Sequence, residues 1–334
     1  MRAVARTAGL TVEVACSRPW LSRVLAEGLA GQGRQAAQGE ADVLVTVEPD
    51  RAPFDVAGWE VLTRGAWRRP GEVVLRNACS SGLDLKVSAR RPALNVIARW
   101  RPPPAVRAAT GVLRARARLL IRAVLLQYPA LWWAQRAGRV PLHASVCTIG
   151  GPGGPSVLLA GPGGLGKSTL VSAELAAGGR STGDNLCVTD GRRVWGLLEP
   201  RRLPADGGAR GPGRRMPHGR REAPWPDRAD SQVPAMLVVL GRGHGATPSV
   251  APCDSGAAAL SLAAGTYMAG ELRRYWAFAA TLALGTGIGE AHPAIGEAAG
   301  VLSALLPARR VVLARRPGAT LSDLLGSGIG LEVT

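Results

Sequence analysis

Lysine is almost missing from this chain of 334 residues: Lys86 and Lys167 are the only two, and every other basic side chain is arginine. Cysteine is sparse as well. Cys16, Cys79, Cys147, Cys187 and Cys253 stand far apart, odd in number and without a C-x-x-C pair. That set excludes a disulfide framework and a cysteine zinc site, and it suits a reducing cytoplasm. No stretch of about 20 uncharged apolar residues occurs, so no transmembrane helix is expected. The opening MRAVARTAGLTVEV lacks the unbroken apolar core of a signal peptide. Acidic residues are outnumbered 24 to 41, leaving a net charge of +17. Such a charge attracts nucleic acid, anionic membrane or an acidic partner without specifying a fold. The basic residues are scattered rather than blocked, and no nucleic-acid-binding motif accompanies them.

A hydrophobic content of 46% is ample for a core, and the length suits two domains, or one with a large extension. The informative stretch is SVLLAGPGGLGKST, residues 156–169. A short apolar run meets Gly161, Gly163, Gly164 and Gly166, then Lys167, Ser168 and Thr169, with the spacing G-x-x-x-x-G-K-S of a phosphate-binding loop. Glycines let backbone N–H groups curl around phosphate oxygens where a Cβ would collide. The helix that follows turns the positive end of its dipole to the same anion. Lys167 reaches the β- and γ-phosphates of a nucleotide such as ATP, and Ser168 holds Mg²⁺. The surroundings agree, since SVLLA reads as a buried strand and residues 167–177 as a helix stopped by Gly178 and Gly179. An arginine-dominated composition that retains lysine at this position fits a task that the wide guanidinium fork does badly.

Residues 1–101 read as a small accessory module with strands at 9–16, 41–47, 58–62, 72–77 and 83–88 and a helix at 19–29. It shows no catalytic constellation. Pro102, Pro103 and Pro104 mark a boundary. Residues 102–139 then read as linking helices. In 105–127 an apolar stripe (Leu113, Ala117, Leu120, Ile121, Val124, Leu125) runs beside Arg114, Arg118 and Arg122, and a solvated charged face is preferred over a membrane-surface helix. Residues 140–149, a Gly/Pro turn and SVLLA read as a hairpin, which puts His143 on the strand next to the one feeding the loop. After the loop helix, Asp184 and Asn185 precede another hairpin that turns at Asp190-Gly191. A carboxylate at Asp184 can accept a proton from an attacking hydroxyl or hold Mg²⁺. Residues 200–233 are basic and rich in Pro and Gly, and are expected to be a flexible loop in which arginines clamp phosphate or an acidic peptide. A core strand at 235–240, helices at 257–284 and 294–306, a late strand at 311–314 and a short helix at 320–325 complete the expectation.

Three motifs in this order resemble the HPr kinase/phosphorylase family, especially its shorter relatives, some of which phosphorylate precursor peptides in modified-peptide biosynthesis. They are Leu142-His143-Ala144-Ser145, the loop from Gly161 to Thr169, and Gly183-Asp184-Asn185. No strand of the common Walker B type is obvious. The likeness covers residues 132–334. It implies an α/β P-loop kinase domain of the PEP-carboxykinase-like kind over 102–334, with 1–101 as an acceptor-binding module. It further implies ATP and Mg²⁺ as cofactors and transfer to a serine, often on a protein or peptide. Lys167 would then bind phosphates, Ser168 the metal, and Asp184 would be the base, with His143 beside it. The family usually has a second acidic residue where this chain has Asn185, which can offer only a carbonyl oxygen to the metal; Glu199 is a further candidate for that role. Arg214 and Arg215 are the expected substrate contacts. The charge suits an acidic acceptor. The rival readings are a kinase for a small hydroxylated molecule and, ranked last, a non-catalytic nucleotide-gated binder of nucleic acid. The sequence leaves room for a homo-oligomer.

Overall fold

The computed structural model describes residues 1–33, 41–90, 92–203, 214–216, 219–245, 247–314 and 320–326. Strand β1 (Arg2–Thr7) pairs antiparallel with β2 (Leu10–Cys16), where strict alternation buries Leu10, Val12, Val14 and Cys16. Helix α1 (Pro19–Gly28) starts on a proline, which costs nothing where the first N–H groups lack partners anyway, and buries Leu21, Val24 and Leu25. The strands β3 (Val43–Glu48), β4 (Glu60–Thr63), β5 (Ala66–Arg69), β6 (Glu72–Leu75), β7 (Leu83–Arg90) and β8 (Ala93–Trp100) complete an eight-stranded sheet in the order β1-β2-β3-β8-β7-β6-β5-β4. It is parallel at β2/β3 and β3/β8 and antiparallel elsewhere.

The stretch expected as one helix at 105–127 is broken. Helix α2 (Pro104–Val112) ends where Leu113 leaves helical geometry (φ −100°, ψ 47°), and α3 (Arg114–Arg122) begins there. Gly111 and the β-branched Val112 are weak helix formers at that joint. Ile121, Val124 and Leu125 are buried as the stripe requires, but Leu113 is exposed. A π-helical turn, Ala123–Gln127, leads into α4 (Tyr128–Ala134), which accepts Pro129 in its first turn. The arginine row engages carboxylates of the protein itself: Arg118 pairs with Glu27 at 2.8 Å and the buried Arg122 with Glu222 at 2.7 Å.

The chain then crosses between sheets. Strand β9 (Val140–Leu142) and β10 (Ala144–Thr148) are separated only by His143. Strand β10 pairs antiparallel with β11 (Ser156–Ala160), the expected hairpin, and α5 (Lys167–Ala176) follows the glycine loop. Strands β12 (Cys187–Thr189) and β13 (Val194–Gly196) form the second hairpin, with Asp190 accepting the N–H groups of Arg192 and Arg193 as an ordinary turn residue. The described residues of 200–233 are more regular than their composition suggests; 204–213, 217 and 218, where the flexible loop is also expected, lie outside the described residues. The strands β14 (Arg201–Leu203), β15 (Arg214–Arg215) and β16 (Arg221–Ala223) make a small antiparallel sheet, ordered β14-β16-β15, and β17 (Ser231–Gln232) joins β13.

Strand β18 (Met236–Arg242), β19 (Ser249–Pro252) and β20 (Ala308–Leu313) complete the sheet β10-β11-β18-β20-β19, while β17-β13-β12-β9 form a separate antiparallel one. In the first of these, Leu158, Ala160, Leu237 and Val239 face α6 (Ser255–Tyr267) and α8 (Ile295–Leu305). The alternate residues Val157, Leu159, Val238 and Leu240 face α5 and α9 (Leu321–Gly326). The helix expected at 257–284 is two helices, α6 and α7 (Tyr275–Thr286), with an irregular turn between them. One continuous core runs from Val73, Leu85 and Val96 of the N-terminal sheet, through Trp132 and Trp133, to Tyr275, Phe278, Leu186 and Leu197. The chain is thus a mixed α/β protein, and no helix of the described residues is long and apolar enough to cross a membrane.

Candidate functional site

The loop between β11 and α5 is shaped by its glycines. Gly161 (φ 145°) and Gly166 (φ 105°) take backbone conformations closed to most residues, and a Cβ on Gly161 would come within 3.1 Å of the Leu240 carbonyl. At Gly163 and Gly164 a Cβ would meet nothing within 4 Å, so this part of the loop faces open space. Helix α5 begins with no side-chain cap, which leaves first-turn N–H groups for a ligand. The buried Lys167 lies under the loop and donates to the carbonyls of Gly161 (2.6 Å) and Pro162 (3.2 Å). Burial lowers its pKa to about 8, against the pull of Glu271 and Asp184. Arg242, at the end of β18, donates to the Gly164 carbonyl at 2.9 Å. The loop, α6 and the turn after it enclose a cavity of about 500 Å³, lined among others by His143, Ser168, Asn185, Arg202 and Glu271.

His143 occupies the crossing point between two sheets. Its N–H is held by Thr266 Oγ1 of α6 (3.0 Å), while its buried Nδ1 has no hydrogen-bond partner. Burial, then the neighbouring Lys167 charge, push the imidazole down to about 4, so the ring is neutral at neutral pH; Glu271 and a hydrogen bond with Asn185 oppose this only partly.

Asp184 is 2% exposed. Its backbone carbonyl accepts from the Ser145 hydroxyl, and its Oδ2 accepts the Arg202 N–H at 3.2 Å. Oδ1 is buried without a partner. Burial raises the pKa of this carboxyl, and Arg202 and the Ser168 hydroxyl restrain the rise. Asn185 donates to Glu271 Oε1 at 2.7 Å, and Arg202 Nη1 donates to the same oxygen at 2.9 Å. Arg202 also lies 3.5 Å from Glu199, whose other oxygen accepts the Leu186 N–H. Burial pushes Glu199 up to about 8. Burial pushes Glu271 up, but the Arg202 charge and the hydrogen bonds to the carboxylate together hold it below the usual range.

No protein-family model matches the chain, and no characterised protein matches it in sequence.

The residues singled out in the sequence therefore divide. His143, Ser168 and Asn185 line one cavity with Gly163 and Gly164, while Asp184 and Lys167 are buried behind that lining, Asp184 next to the Ser168 hydroxyl. Glu199 sits behind Arg202 with both carboxyl oxygens engaged. Arg214 and Arg215 form an edge strand of the small sheet; the substrate contacts expected of their side chains lie outside what the structure describes. Glu271 and Arg202 escaped sequence reasoning. Glu271 stands in the turn between α6 and α7, and the only cue was Gly270-Glu271-Leu272-Arg273-Arg274 interrupting an apolar helical pattern.

Among the described residues no group of three or more His, Cys, Asp or Glu side chains can hold a metal ion. Mg²⁺ does not need one, since it takes one or two carboxylates together with phosphate oxygens and water. The Ser168 hydroxyl, which lines the cavity, would hold such an ion together with phosphate oxygens and water once a polyphosphate lies in the glycine cradle.

Proposed function

We propose that this chain is a P-loop phosphotransferase of the HPr-kinase type that passes the γ-phosphoryl group of Mg-ATP to a serine or threonine hydroxyl of a peptide or protein. The observation that carries the reading is a buried carboxylate, Asp184, with one unpartnered oxygen, beside the Ser168 hydroxyl at the foot of a glycine phosphate cradle. The acceptor oxygen forms a bond to the γ-phosphorus, the bond from that phosphorus to the β–γ bridging oxygen breaks, ADP leaves, and Asp184 Oδ1 takes the hydroxyl proton. Lys167 turns from the loop carbonyls to the phosphates. Bound Mg²⁺ supplies neutralisation of phosphate charge. His143, neutral, adds no positive charge of its own beside Lys167.

The test offers [γ-³²P]ATP with acidic peptides on one side and serine, sugars and nucleosides on the other. Label on peptide is expected. Label confined to small molecules replaces the peptide acceptor with a metabolite. Lys167→Ala is expected to lower transfer by more than about 100-fold, and undiminished activity in that variant excludes the loop. Asp184→Asn is expected to bind ATP normally and lose about 10²–10⁴ in kcat. A loss of ATP affinity with intact turnover would instead make Asp184 a metal ligand only.

A further inference from the structure

A second cavity, about 630 Å³, lies between α2–α3 and the segment Leu198–Arg202, within the ~300–1,000 Å³ of ligand clefts. It is not remote from the phosphate cavity, because Arg202, Gly270 and Glu271 line both. The Arg202–Glu271 pair is thus the wall between the two spaces, and the Arg202 backbone N–H is what holds Asp184.

Its other wall is unusual. Helix α2 has no buried residue, although it is made largely of apolar side chains, and Val106, Ala109, Leu113 and Ala117 border the cleft. A helix left in this state has an apolar face that nothing among the described residues covers. Charge sets the character of the missing cover. Arg122 pairs with Glu222, and Arg202 with Glu199 and Glu271, whereas Arg116 and Arg274, at the rim, have no carboxylate partner among the described residues. The N-terminal sheet contributes Ser80, from a turn in which Asn77 (φ 47°), Cys79 (φ 55°) and Ser80 (φ 63°) are all left-handed. Three such non-glycine residues in four positions are costly, and strain of this kind concentrates at ligand clamps.

We propose that this cleft is the acceptor site. It takes a short peptide segment, apolar at its centre and acidic toward its ends. The segment lies against α2, with carboxylates on Arg116 and Arg274 and the hydroxyl delivered over the Arg202–Glu271 wall. This rests on the kinase reading above, and it gives the N-terminal sheet a share in choosing the substrate.

The experiment uses the full chain and two fluorescein-labelled peptide pools, each with a central serine flanked by randomised Leu, Ala, Val and Phe. One pool ends in paired glutamates and the other in paired lysines. Anisotropy without ATP reads peptide binding, and a fluorescent ATP analogue reads nucleotide binding separately. The acidic pool is expected to bind at least tenfold more tightly than the basic one, and less tightly as salt rises. The double variant Arg116→Glu/Arg274→Glu and the single variant Ala109→Trp are each expected to cost about tenfold or more in peptide affinity while leaving nucleotide affinity unchanged. Arg107→Glu, on α2 but outside the cleft, is the charge control and should cost little. Equal binding of the two pools, absence of binding, or insensitivity to the cleft variants overturns the proposal even if nucleotide binds. Selective peptide binding by a chain that binds no nucleotide keeps the cleft and removes the kinase.

Discussion

Asp184 and Lys167 are buried ionisable groups pushed toward neutrality from opposite sides, and that fixes the sign of the pH dependence. On the proposed kinase reading Asp184 acts only when ionised, and burial raises its pKa, so turnover should fall as pH drops through a midpoint above the ordinary carboxylate range. The same reading needs Lys167 charged. In the nucleotide-free protein its pKa is about 8, so capture of ATP should weaken as pH rises through that value. Bound phosphate holds the proton on the amine, and kcat at saturating ATP should show the alkaline limb much less than kcat/KM does. Profiles of both parameters from pH 5 to 10 check this. A kcat/KM for ATP that stays flat between pH 7 and 10 contradicts it, and Asp184→Asn should abolish the acid limb alone.

At the scale of elements, the site depends on a strand that its composition disguises. Strand β14 presents Arg202, β16 pairs with β14, and β16 is tied to the linking helix α3 by the buried pair Arg122–Glu222. Removing one member of such a pair leaves an uncompensated charge and costs about 3–5 kcal/mol, toward the lower end here because Glu222 has further contacts. Arg122→Ala should therefore destabilise by about 3 kcal/mol in urea unfolding and also lower kcat, since Arg202 loses its footing. Replacing both partners by apolar residues, Arg122→Met with Glu222→Leu, should recover most of the stability. Stability unaffected by Arg122→Ala would show that the pair does not anchor the small sheet. The same elements show what could be read in advance. Strand β11, helix α5, the strand β18 and helix α1 announce themselves through unbroken apolar runs or 3.6-residue periodicity with glycine or proline at the ends. The loop glycines, Lys167 and Ser168 follow from spacing, whereas Asp184 follows from its place ahead of the second hairpin and from the resemblance of the three motifs. Strands β1, β5 and β8 do not announce themselves, because arginine or other polar residues interrupt their less buried faces, as Arg2 and Arg6, Arg68 and Arg69, and Asn95 and Arg99 do. The breaks at Leu113 and His143 and the turn carrying Glu271 depend on tertiary packing, which local pattern does not encode. Arg202 was invisible for a related reason: one arginine in a basic, Pro/Gly-rich stretch has no signature until a partner strand and two carboxylates surround it.

For the molecule as a whole, the shared core implies that the N-terminal sheet and the nucleotide-loop region melt together. Helix α7 rests directly on β6, and the contact is close: a Cβ on Gly285 would lie 2.3 Å from Val73 Cγ2, a side chain with no exposed surface. Gly300, on α8, sits in a helix too, but a Cβ there meets nothing within 4 Å. The same substitution at the two sites should have opposite signs. Gly300→Ala gains helix propensity unopposed and should stabilise by about 0.5–1 kcal/mol. Gly285→Ala gains the same propensity but must force β6 and α7 apart, at a typical overpacking cost of about 1–3 kcal/mol, and the net effect should be destabilising. Because Val73 belongs to the same buried set as Trp132, Tyr275 and Leu186, the Gly285→Ala loss should not stay local. Tryptophan fluorescence, far-UV circular dichroism and release of a fluorescent ATP analogue should shift together to one lower midpoint. If the analogue is retained at temperatures where the tryptophan signal has already changed, the two halves unfold separately, and the N-terminal sheet is a detachable module instead of one wall of the acceptor cleft.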